Sequence, residues 1–296
     1  IALFAPFYRI FPDARLILLI QALAVTFAGW PLYKISRSVT KNVIFSIAIL
    51  YAYLAFIGSQ YALNFDFHPS VLTGAIIICF FYGLHFQKRF VFWLSLILGL
   101  ITREDAPPIF FMIGFYLFLV SLLRPLYRFV TNKIRNKQEI STAGLSEGKN
   151  KVGVIHSIIS NKQLITALTV MIISFSYFCV VAYVIMPLWT KDHAVLAYLD
   201  TGDKDPYNVV RGFFQYPKAI FQNMTDTEVK RSTINTLFSS FGYLSLFSPL
   251  TYISSITIFY SRFASADSYR WIISNYSNSN VLPILAIGAI YGFYNI

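Results

Sequence analysis

The strongest constraint on this chain is a series of apolar runs, several of them long enough to cross a lipid bilayer. A helix needs about 20 apolar residues to span the hydrocarbon core. The runs are Leu16–Tyr33, Val43–Leu63, Val71–Phe86, Phe90–Ile101, Pro108–Leu123, Leu164–Trp189, Ile234–Phe247, Pro249–Phe263 and Val281–Ile296. The pattern predicts an all-α, polytopic transmembrane helical bundle with eight or nine membrane helices.

That count depends on Pro249. Because proline disrupts a helix interior, it either kinks one long helix over residues 234–263 or separates two shorter ones. Only the two-helix alternative places the loop that follows on the outer side of the membrane.

The composition also indicates an integral membrane protein. Hydrophobic residues make up 56% of the chain and charged residues only 12%, whereas ordinary soluble domains carry about 25% charged residues. We therefore expect a multi-pass protein of the cell membrane, embedded in the lipid bilayer. Since the sequence starts at Ile1 and ends at Ile296 in an apolar run, we expect a fragment with a single transmembrane domain over residues 1–296.

Positive charge falls in alternate loops, which predicts the orientation. The formal net charge is +11, but its basic residues gather most densely in residues 124–162. Because short positive loops face the cytoplasm, residues 124–162 are predicted to form a basic cytoplasmic loop, and no nucleic-acid partner is expected. Residues 190–233 carry balanced charge and are predicted to form an outer-face loop.

Two predicted outer turns carry most of the ionisable residues near the apolar runs. Asp66 and His68 lie in N-F-D-F-H-P-S, and Arg103, Glu104 and Asp105 lie in T-R-E-D-A-P-P. If the helices pack in sequence order, three carboxylates and an imidazole come together. Such a group can supply a general base or bind a divalent cation. The three acids and the histidine of these turns are thus candidate catalytic residues and candidate metal ligands: Asp66, His68, Glu104 and Asp105.

Structural roles are the alternative for the same residues. Asp66 can cap the helix that starts near Pro69, and Asp105 can cap the helix opened by Pro107 and Pro108. Arg103 can simply neutralise Glu104. Capping explains one carboxylate in each turn but leaves Glu104 beside Asp105 without a reason.

The motifs resemble the DUF2079 family of predicted polytopic membrane proteins. The family pattern has a small-residue and L-Y turn, a D-F-H-P turn and a K/R-E-D turn. They match A-G-W-P-L-Y at Ala28–Tyr33, then Asp66–Pro69 and Arg103–Asp105. Asn275–Pro283 is similar to a late turn of the family, although Asn278 and Asn280 depart from its usual residues.

The resemblance implies an architecture similar to the GT-C glycosyltransferases, which take a sugar from a polyprenyl-phosphate donor on the outer face of the membrane. In that class a catalytic acid commonly lies in the first outer loop, and this fragment is expected to begin after it. The acids and His68 would then support catalysis as metal ligands, phosphate organisers or acceptor contacts.

Glycosyl transfer also needs positive charge at the departing phosphate. Arg103 and Arg270 are the candidate substrate-binding guanidiniums, and Tyr276 is a candidate substrate hydrogen-bonding residue. With Tyr269 and Trp271 beside it, Arg270 can instead be an interfacial anchor. Two other functions stay open: a membrane transporter, and a non-catalytic scaffold or assembly subunit in which the turns only cap helices.

Overall fold

The computed structural model describes residues 12–64, 66–139, 162–189, 215–265 and 267–296, with single positions 9 and 211. All regular secondary structure in these ranges is helical, which confirms the all-α prediction. The first half forms α1 (Ala14–Thr40), α2 (Val43–Leu54), α3 (Ile57–Asn64), α4 (Pro69–His85), α5 (Arg89–Thr102) and α6 (Ala106–Glu139).

The second half is more broken. It forms α7 (Lys162–Val180), a π-helical turn (Val181–Ile185) that leads into Met186–Trp189, α8 (Pro217–Met224), α9 (Glu228–Ser239), α10 (Pro249–Phe263), α11 (Ser268–Trp271) and α12 (Leu282–Asn295). Two 3-10 segments, Leu244–Phe247 and Tyr276–Asn280, precede α10 and α12. Pro249 starts a new helix, so the two-helix alternative is correct.

The expected eight or nine membrane helices are too many. In the described residues, three helices are long and apolar enough to cross a membrane: Arg15–Thr40, Ala106–Leu123 and Lys162–Leu188. The pair α2 and α3, bent by 41°, adds a fourth if it counts as one span. At 1.5 Å per residue, the 14 residues of α5 reach only about 21 Å.

The overcount arose because an apolar run records burial as well as membrane contact. The clearest example is α12, where every residue from Val281 to Ile290 is buried by the surrounding protein. Its glycines allow close packing, because a Cβ at Gly288 would overlap the Thr251 hydroxyl and one at Gly292 would overlap the Leu244 carbonyl oxygen. A helix inside a bundle is apolar whatever its length.

The helix bundle has an acidic end and a basic end. The acidic end consists of residues 66–70, 102–106, 264–265 and 267–281, and the basic end consists of residues 37–43 and 85–89. Helix α4 runs from the acidic end to the basic end, and α5 returns beside it. The side of the membrane on which each end lies stays a prediction.

The two long predicted loops are only partly covered. Residues 124–139 continue α6, and α8 and part of α9 fall inside the predicted outer-face loop. Residues 140–161 and 190–210 lie outside the described part of the chain.

Candidate functional site at the acidic end

The first segment of the site is the turn between α3 and α4. Pro69 starts α4, and His68 takes the N-cap position without a side-chain capping hydrogen bond. The turn is held from α1, where the fully buried Gln21 accepts a hydrogen bond from the His68 backbone N–H at 2.8 Å. Gln21 Nε2 also donates to the Ala62 carbonyl oxygen at 3.2 Å. One amide therefore ties both sides of this turn to the longest candidate span in the first half of the chain.

The second segment is the turn between α5 and α6. Arg103 leaves α5 in an extended conformation and folds over the two acids that follow it. Its Nε lies 3.2 Å from Asp105 Oδ1 and its Nη2 lies 3.7 Å from Glu104 Oε1. The Arg103 side chain is 19% exposed, so this double ion pair is partly shielded from water.

The third segment, residues 264–265 and 267–281, folds around two buried side chains. Arg262 donates from Nε to the Arg270 carbonyl oxygen at 2.9 Å and from Nη2 to Asn278 Oδ1 at 2.7 Å. Asn278 Nδ2 in turn donates to the carbonyl oxygens of Ile273 and Asn275 at 2.8 and 2.7 Å. The segment thus has an internal polar centre although its helical turns are short.

An aromatic stack joins the third segment to the first. The rings of His68 and Tyr276 lie nearly parallel, with centroids 3.6 Å apart and an angle of 14° between their planes. Both residues are half-buried. Tyr276 therefore covers one face of the imidazole.

Electrostatic interactions join the second segment to the other two. Burial raises the pKa of Asp105, Arg103 and Arg270 oppose that shift, and Glu104 adds to it. Burial also lowers the pKa of His68, with a smaller contribution from Arg103 in the same direction and an opposing one from Asp66. The lowered pKa favours the neutral imidazole, and the charge of Arg270 acts on the Asp105 carboxylate.

The structure thus brings the seven candidate residues to one end of the bundle. Asp66 is exposed, and the other six are half-buried: His68, Arg103, Glu104, Asp105, Arg270 and Tyr276. Arg270 is half-buried and its charge lowers the pKa of Asp105, whereas its neighbour Tyr269 is 69% exposed and better suited to an interfacial anchor.

Helix capping does not account for the two aspartates. An N-cap side chain accepts from the backbone N–H two or three positions ahead, but Pro107 and Pro108 occupy those positions after Asp105 and have no N–H. The N-cap of α4 is His68, not Asp66. Arg103 also does more than neutralise Glu104, since its shorter contact is to Asp105.

A divalent cation has no ready ligand set in the described residues, where no group of three or more His, Cys, Asp or Glu side chains is arranged to hold a metal ion. A cavity of about 300 Å³ lies elsewhere. It is lined by α9 and by Ile272, Ile273 and Ser274 of the third segment, and none of the seven candidates lines it.

Sequence reasoning missed the residues that hold the turns in place. Gln21 is a polar residue inside the first apolar run, and Arg262 is a charge inside the run that ends at Phe263. A polar residue within an apolar run was the available signal, because burying it without partners is costly. Asn278 stood out only as a departure from the family pattern.

The family model described as "Predicted membrane protein (DUF2079)" matches residues 1–296, and so covers all three segments of the site. No curated protein matches the chain, and no solved structure does.

Proposed function

The chain belongs to the DUF2079 family of predicted membrane proteins, and we propose that it is a membrane glycosyltransferase of the GT-C type. In this proposal it transfers a sugar from a polyprenyl-phosphate donor to an acceptor hydroxyl at the outer face of the membrane. The observation that supports it is the convergence of Arg103, Arg270 and Asp105 at one end of a membrane bundle, next to the stacked His68 and Tyr276.

The two arginines supply the positive charge that the leaving group needs. When the bond between the anomeric carbon and the donor phosphate breaks, negative charge develops on the departing polyprenyl phosphate. A guanidinium can hold two phosphate oxygens through parallel N–H bonds. Arg103 pairs with Asp105, and the charge of Arg270, from a different segment, acts on the same carboxylate. In this proposal the two guanidiniums hold the phosphate from two sides.

Asp105 is the proposed proton acceptor. Its carboxyl pKa is raised by burial, which brings a carboxylate closer to the basicity that general-base catalysis favours. The acceptor hydroxyl gives its proton to Asp105 as its oxygen bonds to the anomeric carbon. Glu104, beside it, keeps negative charge near the base and receives the second contact of Arg103.

His68 and Tyr276 are the proposed wall for the sugar. A neutral imidazole stacked on a phenol gives a flat, partly polar surface, and its edge groups can hydrogen-bond hydroxyls. Asp66, exposed beside this stack, is proposed as an acceptor contact.

The direct test is transfer by the purified protein in lipid vesicles that contain a polyprenyl-phosphate sugar. Asp105→Asn and Glu104→Gln keep side-chain size but remove the charge, and each is expected to lower transfer by about 10²-fold or more. Asp267→Asn is the matched control, since Asp267 caps α11 and asparagine caps equally well. Unchanged transfer in both site variants would contradict the proposal. A lower unfolding temperature with no transfer in any form would instead favour the scaffold alternative.

Transport is the second candidate, and one observation favours it. Transporters bind substrates where membrane helices are broken, and the α2–α3 pair is bent by 41°. At the break, Gln60 Nε2 donates to the Leu54 carbonyl oxygen at 2.7 Å, which pairs a carbonyl group freed by the bend. Gradient-dependent flux into sealed vesicles that Gln60→Leu abolishes would support transport over glycosyl transfer.

A further inference from the structure

We propose that Arg262 is a positioning residue that, through Asn278, sets the third segment so that Arg270 and Tyr276 face the site. This inference rests on the proposed function for the identity of the ligand, but the order of the segment can be measured without any ligand. Arg262 itself is only 4% exposed. Among the described interactions it meets the seven candidates only at the Arg270 backbone, and its other bond is to Asn278, so it acts through the loop.

The geometry of the guanidinium supports this role. Arginine presents its N–H groups in a rigid planar fork, and Arg262 uses that fork to join two points of the same segment that are eight residues apart. One is the Arg270 backbone, bonded at 2.9 Å, and the other is the Asn278 side chain, bonded at 2.7 Å. The bond to the Arg270 carbonyl fixes the backbone of a residue whose side chain acts on Asp105.

Asn278 extends the same network to the residues before Tyr276. It is fully buried, and its Nδ2 group donates to carbonyl oxygens of Ile272, Ile273 and Asn275 at 2.7–3.3 Å. These carbonyl groups lie in backbone with little regular helix, where buried polar groups must find other partners. One side chain therefore holds the turn directly ahead of the ring that stacks on His68.

Two glycines show that the segment is inserted into the bundle. A Cβ at Gly58 of α3 would lie 3.0 Å from Asn278 Cβ, and a Cβ at Gly74 of α4 would overlap the Ser279 carbonyl oxygen. The 3-10 turn thus fits between α3 and α4 only because both positions lack a side chain. The hydrogen-bonded pair of Arg262 and Asn278 forms a buried node, and this node sets how the 3-10 turn is positioned between the two helices.

The free-energy cost of burying the Arg262 guanidinium argues against a role in stability alone. Burying a cation costs several kcal/mol unless it is well paired, and no carboxylate forms an ion pair with Arg262 among the described residues. Hydrogen bonds to a carbonyl and an amide oxygen, and the Phe263 ring 5.1 Å away, offset part of this cost. An apolar side chain would fill this position more cheaply, but it could not join Arg270 to Asn278.

The test compares Arg262→Lys and Asn278→Asp in the full chain in lipid nanodiscs. Lysine keeps the charge but loses the two-point fork, and aspartate keeps the acceptor for Arg262 but loses the Nδ2 donors. Hydrogen–deuterium exchange of residues 268–281 is expected to become roughly tenfold faster in each variant, as for the loss of one hydrogen bond to a charged group. Residues 282–290 should exchange as in the unmodified protein. Arg231→Lys, at an exposed arginine that also bonds a carbonyl oxygen, is the matched control and should change nothing.

A second measurement separates positioning from stability. Affinity for a polyprenyl monophosphate, measured below the unfolding temperature of every variant, is expected to fall about tenfold in both site variants and not in the control. The double variant should resemble either single variant, because both break the same network. Unchanged exchange at residues 268–281, or unchanged affinity with only a lower unfolding temperature, would overturn the inference. If the unmodified protein binds no polyprenyl phosphate, the proposed function fails, and the exchange result alone decides on Arg262.

Discussion

The two ends of the bundle use their polar residues in different ways. At the basic end, Asn42 caps α2 by accepting from the Phe45 N–H at 3.0 Å, and Arg37 bonds the Lys41 carbonyl oxygen. Lys41 and Gln87 adopt left-handed conformations, with φ of 57° and 55°, that end α1 and the turn after α4. Much of the side-chain polarity described there is taken up by the helix termini.

At the acidic end Asp267 caps α11, but the candidate site residues are not used in that way. His68 holds an N-cap position but its side chain caps nothing, and the two prolines after Asp105 leave it no N–H to cap. Charged groups of the second and third segments interact with one another instead, and buried residues from α1 and α10 hold the first and third segments in place. Polar residues in a turn therefore indicate a functional site only where helix capping and backbone hydrogen bonding do not account for them.

The largest difference between the ends is expected from removing a cation. Arg103→Gln should lower transfer by about 10²–10³-fold, since it removes positive charge from the departing phosphate. It should also move the acid limb of the pH profile to higher pH, because Arg103 opposes the rise in the pKa of Asp105. Arg37→Gln at the basic end is the control. Transfer rates across pH provide the measurement. Equal losses of transfer in the two variants would contradict the assignment of the site to the acidic end.

Two glycines of α4, one near each end of the bundle, allow the two ends to be compared within a single helix. A Cβ at Gly74 would overlap Ser279 at the acidic end, and one at Gly83 would overlap the Phe92 backbone near the basic end. Both alanine variants should lower stability by about 1–3 kcal/mol through overpacking. Thermal unfolding together with transfer distinguishes them, since only Gly74→Ala displaces the third segment and should also reduce transfer at temperatures where the protein is folded.

Asp105→Asn should raise the unfolding temperature at neutral pH while it lowers transfer. Because burial raises the folded-state pKa of Asp105 above its unfolded value, the charged form disfavours folding at pH values above that folded pKa. The gain should shrink as pH falls and vanish below the unfolded pKa. The side chain is 39% exposed, so solvent keeps the effect modest. A lower unfolding temperature at neutral pH would show that the carboxylate stabilises the fold.

The smallest expected effect concerns the N-caps themselves. Asn42→Ala should cost about 1 kcal/mol, because it removes a capping bond. His68→Ala should lose only its packing on Tyr276, with no capping loss, but should reduce transfer. Denaturation midpoints of the two variants provide the measurement, and a capping-sized loss of helix stability at His68 without any change in transfer would reverse the assignment of the two ends.

The sequence was sufficient to predict that residues 66–68 and 103–105 lie at the same end of the bundle, because α4 and α5 are consecutive and pack side by side. It was not sufficient for the contacts that fix them. Gln21 reaches residues 41 and 47 positions away, and no local pattern encodes such pairs. Arg270 and Tyr276 could be proposed from their surroundings, but their arrival beside Asp105 and His68 depends on the buried node at Arg262.

The number of spans could not be obtained from apolar runs for a related physical reason. Hydropathy does not distinguish lipid from protein as the surroundings of a side chain. Residues 282–290 of α12 are as apolar as a membrane span yet are buried by the surrounding protein, whereas α7 exposes Ile165, Ile172 and Phe175. Only tertiary packing separates the two cases.

The most direct measurement is a cryo-electron microscopy structure of the full chain in nanodiscs with a polyprenyl-phosphate sugar. If the acidic end binds the donor, density for the phosphate is expected within hydrogen-bonding distance of Arg103 or Arg270, with the sugar against His68 and Tyr276. A donor bound at the basic end, or the three segments of the acidic end lying apart with the donor elsewhere, would contradict it.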